Sequence, residues 1–184
     1  MKRTFIAIKV NPSREFEYFI NSIRTEIQGG INWYESKKLH LTLGFFESTS
    51  NEQEEQIKIV LKKICAQTES FTLDFQGLGV FPSNDEPRVI WIGLMNTNII
   101  TKVYEDLWRE LRSSGLSRDR GKFTPHITIG RIKYMVDKEQ LFQLISGNCR
   151  RKIMKSTIRS IIYYESTLTP TGSAYRVLGR FQLL

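Results

Sequence analysis

The chain carries few residues suited to metal or thiol chemistry. Among its 184 residues, cysteine occurs twice and histidine twice. Cys65 and Cys149 form no C-x-x-C pattern. They support neither a zinc site nor a disulfide framework, and both are expected as reduced thiols. Membrane-length apolar runs of about 20 residues are missing as well. The opening MKRTFIAIKVNPS starts like a secretion signal, but its apolar run is interrupted by Lys9 and stops at Asn11-Pro12. That is too short for a signal core. A cytoplasmic monomer without membrane partners is the expectation. Acidic residues are the scarcer charge: 19 Asp and Glu against 27 Lys and Arg, a net +8. A basic surface favours phosphate-bearing partners, nucleic acid included. The basic residues are spread along the chain, however, so charge alone selects no partner. The composition, with 40% apolar and 25% charged residues, excludes disorder, collagen and coiled coil.

What remains is periodic. TFIAIKV (4–10) predicts a buried strand. Phe16, Phe19, Ile20, Ile23 and Ile27 then fall at helical spacing over 13–28, with Ser13 as N-cap and Gly29-Gly30 as the stop. LHLTLGFF (39–46) reads as a strand. Ile57, Val60, Leu61 and Ile64 line one face of a helix over 51–66, and FTLDFQGLGVF (71–81) is extended again. Its G-L-G opens no helix, so it predicts a strand bulge rather than a nucleotide loop. After Pro82 the order returns: strand 88–94, helix 98–114, strand 126–132, helix 137–147, strand 156–166 and a last strand over 174–184.

The return has a fixed offset. Phe5-Ile6-Ala7-Ile8 and Trp91-Ile92-Gly93-Leu94 lie 86 residues apart, as do His40-Leu41-Thr42-Leu43 and His126-Ile127-Thr128-Ile129. The simplest account is two α+β lobes of similar topology, at about 1–82 and 88–184, with a boundary in PSNDEP (82–87) and a site between them.

The only two histidines therefore sit in one repeated pattern, His-apolar-Thr-apolar-Gly. Residues two apart on a strand share a face, so each His-Thr pair points one way while its apolar neighbours point toward a core. A lone strand histidine is usually structural, but two in matched contexts suit acid–base work. Opening a cyclic phosphodiester with water needs one group to take the water proton and another to protonate the leaving oxygen, and imidazole titrates in the useful range. The hydroxyls of Thr42 and Thr128 can donate to the non-bridging phosphate oxygens. Two histidines without a carboxylate cluster make a poor metal site, so no cofactor is expected.

These residues carry a resemblance. With FIAI, LHLTLGFF, LGVFPSNDEPRVIWIGL, FTPHITIGR and YESTLTPTGSAYRVLGRF along nearly the whole chain, the sequence resembles the 2H phosphoesterases, and within them the bacterial RNA 2′,3′-cyclic phosphodiesterases, also called 2′-5′ RNA ligase-like proteins. Glu47 departs from the glycine that relatives often have there. The resemblance implies a single bilobal α+β domain over 1–184, built of two pseudo-symmetric βαβαβ-type lobes with antiparallel sheets facing a central cleft. It implies metal-independent hydrolysis of RNA 2′,3′-cyclic phosphate ends to 2′-phosphomonoesters. His40 would be the proton donor to the leaving 3′ oxygen and His126 the proton acceptor that activates water; spacing by itself does not assign these roles.

Two further expectations concern RNA. Gly44 and Gly130 precede Phe45 and Arg131 at matched positions. A bulge at each glycine would turn both side chains back to the histidine face, where ring and guanidinium could hold the terminal nucleobase between them. Lys37, Lys38, Arg118, Arg120 and Lys122 flank the two motifs and could track the strand. The alternatives are a 2H enzyme acting on a 2′-5′ linked oligonucleotide or a cyclic nucleotide-sugar phosphate, or a non-catalytic RNA-binding module that stacks bases on aromatics such as Trp33, Phe45, Phe46 and Phe123.

Overall fold

The computed structural model describes residues 1–82, 86–116, 122–170 and 172–184. In chain order these form β1 (Lys2–Lys9), α1 (Arg14–Glu26), β2 (Gly29–Trp33), a 3₁₀ turn (Ser36–Lys38), β3 (His40–Thr49), α2 (Asn51–Cys65), β4 (Phe71–Phe81), β5 (Val89–Met95), α3 (Asn98–Ser113), β6 (Ile127–Met135), α4 (Lys138–Asn148), β7 (Lys152–Ile158), β8 (Ser160–Thr169) and β9 (Gly172–Gln182). α1 and α2 start at capping serines. The Ser13 side chain accepts from Phe16 N–H at 3.2 Å, and Ser50 with Gln53 forms a capping box on α2. Gly29-Gly30 does more than stop α1. It opens β2, which the sequence reading missed and which pairs antiparallel with β6.

The strands form one antiparallel sheet in the order β7-β4-β5-β6-β3-β1-β8-β9, with β2 as a branch on β6. The order is symmetric about its centre: β5 and β1 are counterparts, as the 86-residue repeat requires, and so are β6 and β3. The central junction is thin, a single bridge between Leu41 and Ile127. Elsewhere β3 and β6 run apart.

Two expectations are corrected here. The extended stretch 156–166 is not one strand. It breaks at Arg159 into β7, which pairs with β4, and β8, which pairs with β1, so the chain crosses from one half of the sheet to the other. The halves of the sheet are consequently not 1–82 and 88–184. β4 of the first repeat lies among β5 and β7, and β8–β9 of the second lie beside β1. The boundary segment itself falls partly on 83–85, outside the described residues. The bulge foreseen in G-L-G is present: the β4–β5 register shifts between Phe75 and Leu78, and Gly77 adopts φ +84°.

All four helices cover one face. Ile6, Ile8, Leu41, Leu43, Ile90, Ile92, Ile127 and Ile129 are buried there, in one cluster with Phe16, Phe19, Ile57, Leu61, Val103, Leu107 and Trp108. Each such side chain stabilises the fold by about 1.5–3 kcal/mol. The opposite face carries only a small cluster of Phe5, Ala7, Ile162 and Tyr164, with Tyr175 packed against it.

Candidate active site

The open face belongs to the histidines. The antiparallel bridge at Leu41 and Ile127, carried one step to either side, sets His40 opposite Thr128 and Thr42 opposite His126. Leu41 and Ile127 point into the core, so all four polar side chains project from the other face. The 86-residue repeat and one bridge thus bring two acid–base groups and two hydroxyls into one cluster.

Both imidazoles are held alike. His40 Nδ1 lies 2.7 Å from the carbonyl oxygen of Lys38, and His126 Nδ1 lies 2.7 Å from that of Thr124. Lys38 and Thr124 are themselves 86 residues apart. A carbonyl only accepts, so Nδ1–H is the donor in each case and Nε2 is left for chemistry. Rings pack around both. Phe5 lies 5.0 Å from His40 and Tyr175 meets it edge-on at 5.5 Å. Phe81 meets His126 edge-on at 5.0 Å, with Trp91 at 6.3 Å. This burial pushes both imidazoles below the ordinary histidine value of 6.5. The carbonyl bonds oppose the shift, while His126 adds to it at His40 and the Arg131 guanidinium adds to it at His126.

The glycines after the motifs work as expected. β1 pairs Ile6 with Gly44 and Ala7 with Thr42, leaving Leu43 as the extra residue. β5 pairs Ile90 with Gly130 and Trp91 with Thr128, leaving Ile129 extra. Each bulge residue turns its carbonyl to a new donor: Trp108 Nε1 donates to Leu43 O at 2.9 Å, and Tyr34 N–H donates to Ile129 O at 2.9 Å. Glycine permits this approach, since a Cβ on Gly44 would stand 2.9 Å from the Trp108 ring and one on Gly130 3.0 Å from the Trp33 ring. The bulges bring Phe45 opposite Phe5 and Arg131 opposite Val89, both on the histidine face.

Phe45 and Arg131 lie four residues from the central bridge on strands that run in opposite directions, and each has another partner. The Arg3 guanidinium lies 5.2 Å from the Phe45 ring centre, and Arg131 Nε donates to the Tyr34 hydroxyl at 3.2 Å. Sequence reasoning missed Tyr34 and Tyr175. Both lie outside the repeat, whereas Phe5 and Trp91 at its 86-residue offset were visible. Burial raises the Tyr175 phenol above its ordinary value. Among the flanking cations, Lys37 and Lys38 both pair with Glu35, Lys122 is exposed, and Arg118 and Arg120 lie outside the described residues. Of the aromatics offered for stacking, Phe46 is buried, Phe123 stacks on Tyr104 at 3.8 Å, and Trp33 packs against the core under Arg24. Phe45 alone of the four is widely exposed, at 44%.

Among the described residues, no group of three or more His, Cys, Asp or Glu side chains is placed to hold a metal ion, and no helix is long and apolar enough to cross a membrane. The buried Cys65 thiol is pushed up to about 11 by desolvation, which makes it a poor nucleophile.

Residues 12–155 match the family model of the 2′-5′ RNA ligase superfamily. The chain belongs to that superfamily. It is 37% identical to an RNA 2′,3′-cyclic phosphodiesterase of Thermotoga maritima, over 98% of this chain and 95% of the relative. It is 28% identical to one of Archaeoglobus fulgidus, over 98% and 99%. Among solved structures, TT0787 of Thermus thermophilus superposes with a TM-score of 0.79 at 20% identity, covering 98% of this chain and 97% of that one. LigT of E. coli, complexed with 3′-AMP, superposes with a TM-score of 0.78 at 22% identity, covering 99% and 98%. These structures share the fold, and the superfamily makes the chain a phosphodiesterase.

Proposed function

We propose that the chain hydrolyses 2′,3′-cyclic phosphates at RNA ends to 2′-phosphomonoesters, with His40 and His126 as acid and base. The observation that carries this reading is the four-residue cluster set by the Leu41–Ile127 bridge, with both imidazoles tied through Nδ1 and free at Nε2. The relatives named RNA 2′,3′-cyclic phosphodiesterase support the substrate.

Neutral His126 holds a lone pair on Nε2. It takes a proton from water as the water oxygen attacks phosphorus. The bond from phosphorus to the 3′ oxygen breaks, and that oxygen takes the Nε2 proton of imidazolium His40. His40 returns to its neutral form with Nδ1–H still on Lys38 O. Thr42 and Thr128 donate their hydroxyl hydrogens to the two non-bridging oxygens, which hold the charge of the transition state. Burial serves the acid, because an imidazolium that is costly to keep charged gives up its proton readily. The geometry treats the two histidines alike, and giving His40 the acid role and His126 the base role follows what the resemblance implies. Every group in this scheme is a side chain, so the reaction is expected to proceed without metal.

The test is direct. An oligonucleotide ending in a 2′,3′-cyclic phosphate is incubated with the protein in EDTA and the product isomer is identified. A 2′-phosphate is expected. A 3′-phosphate would reverse the leaving oxygen, and an intact substrate would overturn the reading.

A further inference from the structure

The clamps on the two histidines match, but the residues five positions on differ in charge. Phe45 stands in the first motif's strand and Arg131 in the second's, each turned to the histidine face by its bulge. Burial lowers both imidazoles, and their carbonyl partners oppose it; among charges, Arg131 acts on His126 and His126 acts on His40. The Arg3 guanidinium, 5.2 Å from the Phe45 ring centre, is not among the groups that shift His40. β4 and β5 supply rings beside His126, Phe81 and Trp91. β3 supplies His40, and no carboxylate among the described residues shifts either imidazole. Arg131 is thus the charge that separates the surroundings of the base from those of the acid.

An arginine on an exposed strand position has many rotamers open to it in solvent. Arg131 is exposed, yet one hydroxyl holds it: its Nε–H donates to the Tyr34 phenol at 3.2 Å. Tyr34 is fixed in turn. Its N–H donates to the bulge carbonyl of Ile129 at 2.9 Å, and its own carbonyl accepts from Arg24 at 2.7 Å. Asn32 pairs with Arg131, so Tyr34, two residues on, rises on the same face. Beyond it lies Tyr175 from the other half of the sheet. Burial raises the Tyr175 phenol, and the Tyr34 phenol facing it adds to the shift, while Ser173 and Arg131 oppose it. Resting on the function proposed above, we infer that Tyr34 is a positioning residue of the active site: its hydroxyl fixes the Arg131 guanidinium on the His126 side of the cleft, where that charge repels a proton from the base. Holding matters because the charge is exposed, and a guanidinium free to swing away is screened by salt over about 10 Å. His40, with a phenylalanine at the matched position, meets no such repulsion from there.

The chain holds two histidines, so proton NMR can follow both imidazoles through a pH titration without turnover, with His40→Ala assigning the signals. In Tyr34→Phe the His126 signal should titrate at higher pH than in the wild type. Arg131→Met should move it in the same direction, and Tyr34→Phe should add nothing in the Arg131→Met background. On a 2′,3′-cyclic mononucleotide, Tyr34→Phe should lose about two- to fivefold in kcat/KM on the acid limb and nothing on the alkaline limb. Salt at about 1 M should erase the difference. A His126 signal that titrates as in the wild type would overturn the inference, as would a shift that Tyr34→Phe still causes without Arg131. So would an equal loss of kcat/KM at every pH, which would make Tyr34 a substrate contact or a prop of the fold. A wild-type protein inactive on that substrate would instead overturn the proposed function, whereas the titration reads the link from Tyr34 through Arg131 to His126 by itself. Thermal unfolding shows separately that each variant is folded.

Discussion

Both imidazoles share a direction of shift, and that direction has consequences for rate and stability. On the proposed assignment the free enzyme holds His40 charged and His126 neutral, yet both lie below 6.5. The kcat/KM profile is therefore expected to be a bell centred on the acid side of neutrality, its alkaline limb marking loss of the His40 proton. A bound phosphate favours imidazolium, so the kcat profile should lie at higher pH than the kcat/KM profile. A kcat profile at the same or lower pH would contradict the assignment. His40→Ala and His126→Ala should each cost about 10²–10⁴-fold in rate, and Thr42→Val or Thr128→Val about 1–3 kcal/mol of transition-state stabilisation. Stability follows the same shifts. The unfolded chain binds more protons than the native one once pH drops below about 6.5, so stability is complete above that value and declines as pH falls through the native values. Removing either histidine should flatten the fall in Tm between about pH 7 and pH 5.

At the scale of elements, the site depends on two bulges and on the helix and strand that brace them. The Trp108 indole N–H holds the carbonyl of Leu43 and so fixes the turn that exposes Phe45. Trp108→Phe keeps the ring but leaves a buried carbonyl unpaired, which costs about 1–3 kcal/mol and lowers Tm by about 2–4 °C per kcal/mol. Gly44→Ala should cost a similar amount by pressing a methyl group against that ring. An unchanged Tm in both variants would show that the bulge does not depend on α3. Much of this was legible beforehand. Matched glycines after matched His-x-Thr strands predicted the bulges, and helical spacing placed the core residues of α1 and α2. The partners of Phe45 and Arg131 were not legible, because Arg3 on β1 and Tyr34, just past β2, have no fixed spacing to the motifs. Nor was the break at Arg159, since residues on either side of it alternate as a strand does.

At the scale of the molecule, the repeat was read correctly as a symmetry and incorrectly as a partition. Sequence offset reports which elements are alike, while strand order is decided by which edges remain open for pairing. β1 offers its free edge to β8 and β5 offers its free edge to β4, so each half of the sheet completes itself with strands from the other half of the chain. The two halves are therefore interlocked, and neither should fold alone. A fragment of residues 1–82 would lack the β5 and β7 partners of β4, and a fragment of 88–184 would lack the β1 partner of β8. Each would expose the apolar strands Phe71–Phe81 or Ser160–Thr169 at an open edge. Expressed separately, both fragments should be unfolded or aggregated; mixed, they should recover far-UV circular dichroism and activity together. The intact chain should unfold in urea as one transition, with tryptophan fluorescence from Trp33, Trp91 and Trp108 coinciding with circular dichroism. Two separated transitions, or a soluble folded 1–82 fragment, would show that the lobes are independent after all and that the β4 and β8 crossings contribute little to the stability of the sheet.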